Sequence, residues 1–106
     1  MSKRTDELYV ADIAEAIENI ELFTENMTFD AFVKDAKTIH AVVRCIEIIG
    51  EATVHLSDQY KTVHASVPWM SIIGMRNKMI HEYFGIDMEI LWKTLKEDVS
   101  TLKGRL

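Results

Sequence analysis

Apolar residues recur at intervals of three and four along most of the chain, the spacing that places side chains on one face of an α-helix. The strict alternation typical of half-buried strands is missing. We therefore predict four main helices, over about residues 5–26, 35–56, 68–84 and 87–106, and one short helical turn over 28–33. The short connections between these predicted helices favour an antiparallel arrangement. The prediction is one all-α domain covering residues 1–106, a helical bundle of four main helices plus a short extra helical turn.

Each predicted helix carries an apolar stripe that should face the core. In chain order these stripes are Val10, Ile13, Ile17 and Ile20; Phe29, Phe32 and Val33; Ile39, Val42, Val43, Ile46, Ile49 and Thr53; Trp69, Ile72, Ile73, Met79 and Ile80; and Leu91, Leu95, Val99, Leu102 and Leu106. Thr28 and Asp87 are predicted N-caps, and Pro68 marks a helix start. Residues 57–67 are predicted to be the longest connection.

Composition narrows the class of protein. The chain has 106 residues, of which 48% are hydrophobic and 27% charged, and these values exclude a disordered or low-complexity chain. No apolar run approaches the ~18 residues that span a bilayer, so we expect no membrane segment. The first residues lack the apolar core of a signal peptide, and the single cysteine, Cys45, excludes an intrachain disulfide. We therefore expect a cytoplasmic location.

The charge distribution is uneven. The net charge is −5, which disfavours nucleic-acid binding because that binding depends on neutralising phosphates. From Lys61 to His81, however, there is no Asp or Glu, while Lys61, Arg76 and Lys78 are cationic. Either chance or a small anion-facing patch inside an acidic shell explains this segment.

Arg76 interrupts the apolar stripe of the third main helix. A guanidinium facing the core costs several kcal/mol unless it is paired or faces a wet cleft. Two interpretations follow. Arg76 forms a buried ion pair with Glu47 or Glu51 of the long helix, or it faces a cleft that binds an anion.

Gly74, Cys45 and the two tryptophans have structural interpretations. Gly74, inside the third main helix, is expected to permit close approach of another helix, either within the chain or at a dimer interface. Cys45 is predicted to be a small core residue. Trp69 and Trp92 are predicted to anchor the core or an interface.

The residues after Arg76 have chemical potential. His81 lies five residues on, near the predicted helix end, where a histidine suits acid–base work. Asn77 and Lys78 could add phosphate contacts. Tyr83 shares a helix face with Arg76 and is either a core aromatic or part of the same cleft. His40, His55 and His64 are interpreted as surface or packing residues, and no histidine spacing indicates a metal site.

The sequence Arg76-Asn77-Lys78-Met79-Ile80-His81-Glu82-Tyr83 contains an Arg-x4-His-x-Tyr motif. This motif, together with Arg-Cys-Ile-Glu-Ile-Ile-Gly-Glu-Ala, Val-Pro-Trp, Gly-Met-Arg-Asn and the following Tyr-Phe-Gly, resembles the HepT-like toxins of the HEPN domain superfamily. The resemblance covers nearly the whole chain. No position of the motif departs from the family pattern.

The resemblance implies a HEPN-like fold and a ribonuclease toxin that works without a metal or cofactor, as a homodimer with a composite cleft. It implies that Arg76 and His81 are the catalytic pair. It also implies a partner, a minimal nucleotidyltransferase antitoxin, which uses ATP to transfer AMP onto Tyr83.

Two function classes stay open at this point. The first is an RNA-cleaving toxin silenced by AMP transfer. The second is a non-catalytic helical subunit that docks a nucleotidyltransferase or binds nucleotide. The acidic net charge favours the second, whereas the intact motif favours the first, because an adapter needs no paired arginine and histidine.

Overall fold

The computed structural model describes residues 5–81, 85 and 87–106, without the side chains of Ile80 and His81. Every regular element in these residues is helical, which confirms the all-α prediction. The helices are α1 (Asp6–Phe23), α2 (Phe29–Val33), α3 (Ala36–His55), α4 (Asp58–Val63), α5 (Trp69–His81), α6 (Met88–Lys93) and α7 (Val99–Leu102). A π-helical turn, Thr94–Asp98, joins α6 to α7, and a 3₁₀ turn, Lys103–Arg105, follows α7.

Local capping interactions start the helices where the sequence predicts. The Thr28 hydroxyl accepts a hydrogen bond from the backbone N–H of Ala31 at 3.2 Å. The Asp87 carboxylate accepts hydrogen bonds from the backbone N–H groups of Glu89 and Ile90 at 2.8 and 3.2 Å. Such side chains satisfy backbone donors that have no partner within the first helical turn. Both predicted N-caps are confirmed.

Helix α4 lies in the segment predicted as a connection. The Ser57 hydroxyl caps it by accepting a hydrogen bond from the Tyr60 backbone N–H at 3.1 Å. None of its residues is buried, so it has no apolar stripe by which the sequence pattern could indicate it. The prediction of a connection over residues 57–67 therefore missed α4.

Helices α1 and α3 are antiparallel. Asp6, at the start of α1, accepts hydrogen bonds from the backbone N–H and the hydroxyl of Ser57, two residues beyond the end of α3, at 2.9 and 2.6 Å. These hydrogen bonds lower the pKa of Asp6 because they stabilise its ionised form. The start of one helix therefore lies beside the end of the other.

Helix α3 packs against both α1 and α5, and most predicted stripe residues form one buried core. Val10, Phe29, Ile39, Ile72, Ile73 and Leu106 are only half-buried, and the side chain of Ile80 lies outside the described residues. Val33 is exposed, so its predicted place on a core stripe is wrong. The buried members are Ile13, Ile17, Ile20, Phe32, Val42, Val43, Ile46, Ile49, Thr53, Trp69, Met79, Leu91, Leu95, Val99 and Leu102.

The two tryptophans and the cysteine belong to this packing. The indole N–H of Trp69 donates to the backbone carbonyls of Lys61 and His64 at 3.2 and 3.0 Å, which ties α4 to the start of α5. Trp92 packs against Phe32 at 4.9 Å between ring centroids. Cys45 is buried, and burial raises the pKa of its thiol. The predicted core role of Cys45 is confirmed.

Gly74 is exposed, and a methyl group built on it meets no described atom within 4 Å. No helix of the described residues therefore approaches Gly74 closely, contrary to the first expectation, and approach by a second copy stays a prediction. Among the described residues, no helix combines the length and apolar character needed to cross a membrane.

Candidate active site

Arg76 leaves α5 where that helix packs against Gly50 of α3. A methyl group built on Gly50 of α3 would overlap Cβ and Cγ of Arg76 and lie 3.3 Å from Cδ. Gly50 is buried, so a side chain there has no alternative space. A glycine inside a helix costs about 1 kcal/mol relative to alanine. At this position the missing side chain provides the room that the stem of Arg76 occupies.

The guanidinium of Arg76 emerges beside two polar partners. Its Nη2 donates to Oε2 of Glu51 at 2.6 Å, and its Nη1 donates to Oδ1 of Asn77 at 2.8 Å. The side chain of Arg76 is 26% exposed and that of Glu51 is 55% exposed. The predicted ion pair with α3 therefore exists, but it lies at the surface and not in the core.

Glu47, the other predicted candidate for this ion pair, has a different partner. Its carboxylate pairs with Arg44 one turn earlier on α3, at 3.3 Å. The side chain of Arg44 is 69% exposed, so this is a solvated surface pair. Glu51 is thus the carboxylate that determines the electrostatics around Arg76.

The N–H groups of the Arg76 guanidinium differ in their hydrogen bonding. Its Nε is buried and has no acceptor among the described residues. An unpaired buried donor costs about 1–3 kcal/mol, so packing of the stem must hold it there. A guanidinium has five N–H bonds. Nε is buried and one bond is directed to each of Glu51 and Asn77, so one N–H on each terminal nitrogen has no acceptor among the described residues.

Glu51 is shared between two cationic or potentially cationic groups. Its Oε1 lies 3.3 Å from Nε2 of His55, and the His55 ring stacks on Tyr9 with 5.4 Å between centroids. The hydrogen bond with His55, followed by the one from Arg76, lowers the pKa of Glu51. Glu51 is therefore ionised at neutral pH and is held on both oxygens.

The observed positions of these residues can be compared with several predictions made from the sequence. The acid-free segment from Lys61 to His81 does not form an acid-free surface, because Glu51 reaches Arg76 from α3. Asn77 is exposed and directs its side-chain oxygen to Arg76, while Lys78 is exposed on the same helix. The interpretation of the other histidines is confirmed for His55, which stacks at the surface.

His40 and His64 also fit that interpretation. His40 is exposed on α3. His64 is half-buried, stacks on Tyr60 at 4.1 Å between centroids, and places Nδ1 3.1 Å from the Tyr60 carbonyl oxygen. Packing at the end of α4 therefore accounts for His64.

Comparison with known proteins gives an independent result. The family profile described as "Ribonuclease HepT-like" matches residues 13–106. The chain belongs to the HepT-like ribonuclease family. The match confirms the family assignment drawn from the motif segments, whereas the toxin role and the nucleotidyltransferase partner stay predictions.

Individual relatives of this family cover nearly the whole chain. A protein of Thermococcus cleftensis named "Probable ribonuclease HepT" is 50% identical over 103 residues, which are 97% of this chain and 94% of that protein. A relative from Methanocaldococcus jannaschii is 39% identical over 97% of this chain and 94% of its own length. One from Caldanaerobacter subterraneus subsp. tengcongensis is 38% identical, over 97% and 92%. Both are named as putative RNases. No solved structure matches the chain significantly.

The part of the HepT-like motif that the structure describes ends with the backbone of α5. Arg76, Asn77 and Lys78 are described with their side chains. The side chain of His81 and the whole of Tyr83 lie outside the described residues, so their predicted roles stay predictions. Within the described ranges, no group of three or more His, Cys, Asp or Glu side chains could hold a metal ion.

Gly50 is the site residue that sequence reasoning missed. It lies in the stretch Arg-Cys-Ile-Glu-Ile-Ile-Gly-Glu-Ala, which had been used only as part of the family resemblance. A signal was present, because an isolated glycine inside a long helical pattern usually has a packing or functional reason. The pattern within α3 does not say which side chain of another helix occupies the space.

A titration tests the shared role of Glu51. In the folded protein its carboxyl should titrate below the ordinary glutamate range, because His55 and Arg76 stabilise the ionised form. Since the folded pKa is depressed, this stabilisation is present at neutral pH and is lost as pH falls through the folded pKa. In an NMR titration of the side-chain carboxyl carbon, both His55→Ala and Arg76→Ala should raise the midpoint.

Arg44→Ala is the matched control, because Arg44 pairs with a different carboxylate of α3 and should leave the Glu51 midpoint in place. A wild-type midpoint at the ordinary value that neither His55→Ala nor Arg76→Ala shifts would contradict the shared role of Glu51.

Proposed function

We propose that the chain is an endoribonuclease that cleaves RNA without a metal ion, and that it is the toxin of a toxin–antitoxin pair. Arg76 and His81 are the proposed catalytic residues. The observation that carries the proposal is the Arg-x4-His motif within the range matched by the family, with the Arg76 guanidinium held at the surface. The name of the Thermococcus relative, "Probable ribonuclease HepT", supports the same reaction class.

RNA supplies its own nucleophile, so the reaction needs few protein groups. The 2′-hydroxyl oxygen attacks the adjacent phosphorus, and the bond from phosphorus to the 5′-oxygen breaks. One proton leaves the 2′-hydroxyl and one proton is added to the departing 5′-oxygen, which yields a 2′,3′-cyclic phosphate and a 5′-hydroxyl. His81 is proposed to transfer one of these protons. Arg76 is proposed to bind the phosphate and stabilise the charge that develops on its oxygens.

Glu51 competes with the phosphate for Arg76 but does not preclude binding. An exposed ion pair contributes about 0–1 kcal/mol, because water screens the charges. A phosphate with two suitably placed oxygens could use the remaining N–H on each terminal nitrogen of Arg76. Lys78, exposed on α5, is proposed to add a further phosphate contact, and Asn77 is proposed to support the site by orienting Arg76.

A homodimer is proposed because the one motif histidine of each chain, His81, cannot act as both acid and base in the same step. Two Arg-x4-His motifs facing one cleft would supply both groups. The exposed Gly74 on α5 has open space around it in the single chain, which is compatible with a second copy approaching there.

One alternative function keeps specific support. The net charge of −5 and the Glu51–Arg76 pair would both suit a non-catalytic helical subunit that docks a nucleotidyltransferase or binds nucleotide. Such a subunit would have no need of His81 for RNA cleavage. A direct assay of the purified protein separates the two functions.

The cleavage assay uses the purified protein, single-stranded RNA and EDTA. The wild type should produce fragments with a cyclic phosphate or 3′-phosphate end. Arg76→Ala should lose activity by about a hundredfold or more, since it removes a group that stabilises transition-state charge. His81→Ala should lose about 10²–10⁴-fold as a general acid or base.

Arg105→Ala and His40→Ala are matched controls for residue type and should cleave at the wild-type rate, with all variants keeping helical circular dichroism. Sedimentation of the same samples should show a dimer at micromolar concentration. Cleavage by His81→Ala at the wild-type rate would contradict its role. A fully active monomer would contradict the composite cleft.

We further propose that a minimal nucleotidyltransferase antitoxin silences the chain by transferring AMP from ATP onto the hydroxyl oxygen of Tyr83. The new bond joins that oxygen to the α-phosphorus of ATP, the bond from the α-phosphorus to the oxygen of pyrophosphate breaks, and the hydroxyl proton is released to solvent. Each AMP adds negative charge seven residues from Arg76 in the sequence, in a chain that is already acidic. RNA would be repelled electrostatically and the anion site of Arg76 would be blocked.

Tyr83→Phe tests this switch, because it keeps the ring and removes the acceptor oxygen. Co-expressed with the nucleotidyltransferase, the wild type should gain the mass of one or more AMP groups and lose toxicity. Tyr83→Phe should stay unmodified and toxic. Tyr60→Phe and Tyr9→Phe should be modified like the wild type. An adenylated Tyr83→Phe protein would place the modification on another residue.

A further inference from the structure

Gly50 of α3 lies directly beneath the stem of the proposed catalytic arginine. Gly50 is buried on α3, and any side chain there would overlap Cβ and Cγ of Arg76. Because the overlap begins at Cβ, rotation of the Arg76 side chain alone cannot relieve it. A larger residue at position 50 must shift α5 or turn the whole arginine away from α3.

The two glycines inside long helices differ in this respect. Gly74 on α5 is exposed, and a methyl group built there meets no described atom within 4 Å. Gly50 and Gly74 are both glycines inside α-helices. The stem of Arg76 occupies the space beside Gly50, whereas the space beside Gly74 holds no described atom. Their alanine variants change backbone freedom equally but only one of them reaches Arg76.

The surface partners of Arg76 do not fix its position by themselves. Glu51 is 55% exposed, and a surface ion pair is weak enough to rearrange. The buried Nε is a stronger indication of what holds the side chain, because this donor has no acceptor among the described residues. A long arginine that could move would turn Nε toward water. The stem is thus held by packing over Gly50.

We propose that Gly50 is a positioning residue for Arg76: its missing side chain seats the arginine stem on α3, so that both terminal nitrogens emerge at the surface. The catalytic consequence rests on the proposed ribonuclease function. The positional claim does not, because it concerns contacts within the chain. A substitution at Gly50 should therefore act on Arg76 before it acts on any substrate.

Exchange of the Arg76 Nε–H with water, measured by NMR on the full chain, reports the position directly. In the wild type it should be at least about tenfold slower than exchange of the Arg44 Nε–H, because the Nε of Arg76 is buried and the side chain of Arg44 is exposed. Gly50→Ala should remove this protection, while Gly74→Ala should keep it. Backbone amide exchange in α1 serves as the measure of overall folding.

RNA cleavage provides the second readout. Gly50→Ala should lower kcat by about tenfold to a hundredfold, the effect expected when a catalytic group is displaced by about 1 Å. Gly104→Ala is the matched activity control, because Gly104 is exposed and a methyl group built on it meets no described atom within 4 Å, so this variant should cleave at the wild-type rate. If Gly50→Ala does not fold, the double variant Gly50→Ala with Arg76→Gly should fold again, because it removes the side chain that the methyl overlaps. A cooperative thermal unfolding transition would show this.

The outcomes separate the two proposals. Equal exchange at Arg76 and Arg44 in the wild type, or protection that survives in Gly50→Ala, would overturn the positioning role. Failure of the double variant to fold would also overturn it. Lost protection with unchanged cleavage would uphold the positioning role and contradict the catalytic role of Arg76. A wild type that cleaves no RNA contradicts the proposed function, and the exchange measurement still decides the role of Gly50.

Discussion

The contact between the Arg76 stem and Gly50 is the constraint on which the rest of the site depends. Packing of α3 against α5 buries the stem and Nε, and so directs the two terminal nitrogens of the guanidinium to the surface. Glu51 and Asn77 then orient those nitrogens. Close packing holds the Arg76 side chain more firmly than its exposed hydrogen bonds do, because packing leaves no alternative position while a solvated ion pair can open.

The same arrangement bears on how an acidic chain could bind RNA at the proposed anion site of Arg76. The net charge of −5 creates a field that repels RNA over long range, but salt screens that field beyond about 10 Å. In the proposed function, binding then depends on local groups, and a phosphate must compete with Glu51 for Arg76. The same carboxylate also contacts His55, so its ionised state does not rely on Arg76 alone.

Sequence periodicity predicted the fold well because the large helices bury continuous stripes. Ile13, Ile17 and Ile20 of α1, for example, are all buried as expected. Helix α4 escaped prediction because none of its residues is buried and its cap acts only locally. Periodicity reports burial, so an exposed helix leaves no comparable signal.

The site was predictable to a different extent. The polar Arg76 on an apolar stripe indicated either an ion pair or an anion site, and Glu51 was one of two candidate partners. Gly50 could not be assigned from sequence, because its importance arises from the distance between two helices that are far apart in the chain. A glycine signals that space is needed, but the residue that fills the space is a property of the tertiary structure.

The proposal that Arg76 binds the RNA phosphate is tested most directly by the affinity of the purified protein for RNA that it cannot cleave. A 2′-O-methyl oligonucleotide cannot supply the nucleophile, so its dissociation constant can be measured at equilibrium over a range of salt concentrations. Arg76→Ala should weaken binding by at least about tenfold, because a hydrogen bond to a charged group contributes about 1.5–3 kcal/mol. It should also reduce the slope of log affinity against log salt by about 0.7, the value for one phosphate contact on a single strand. Unchanged affinity and slope, with the variant still folded, would contradict the claim that Arg76 faces the RNA phosphate.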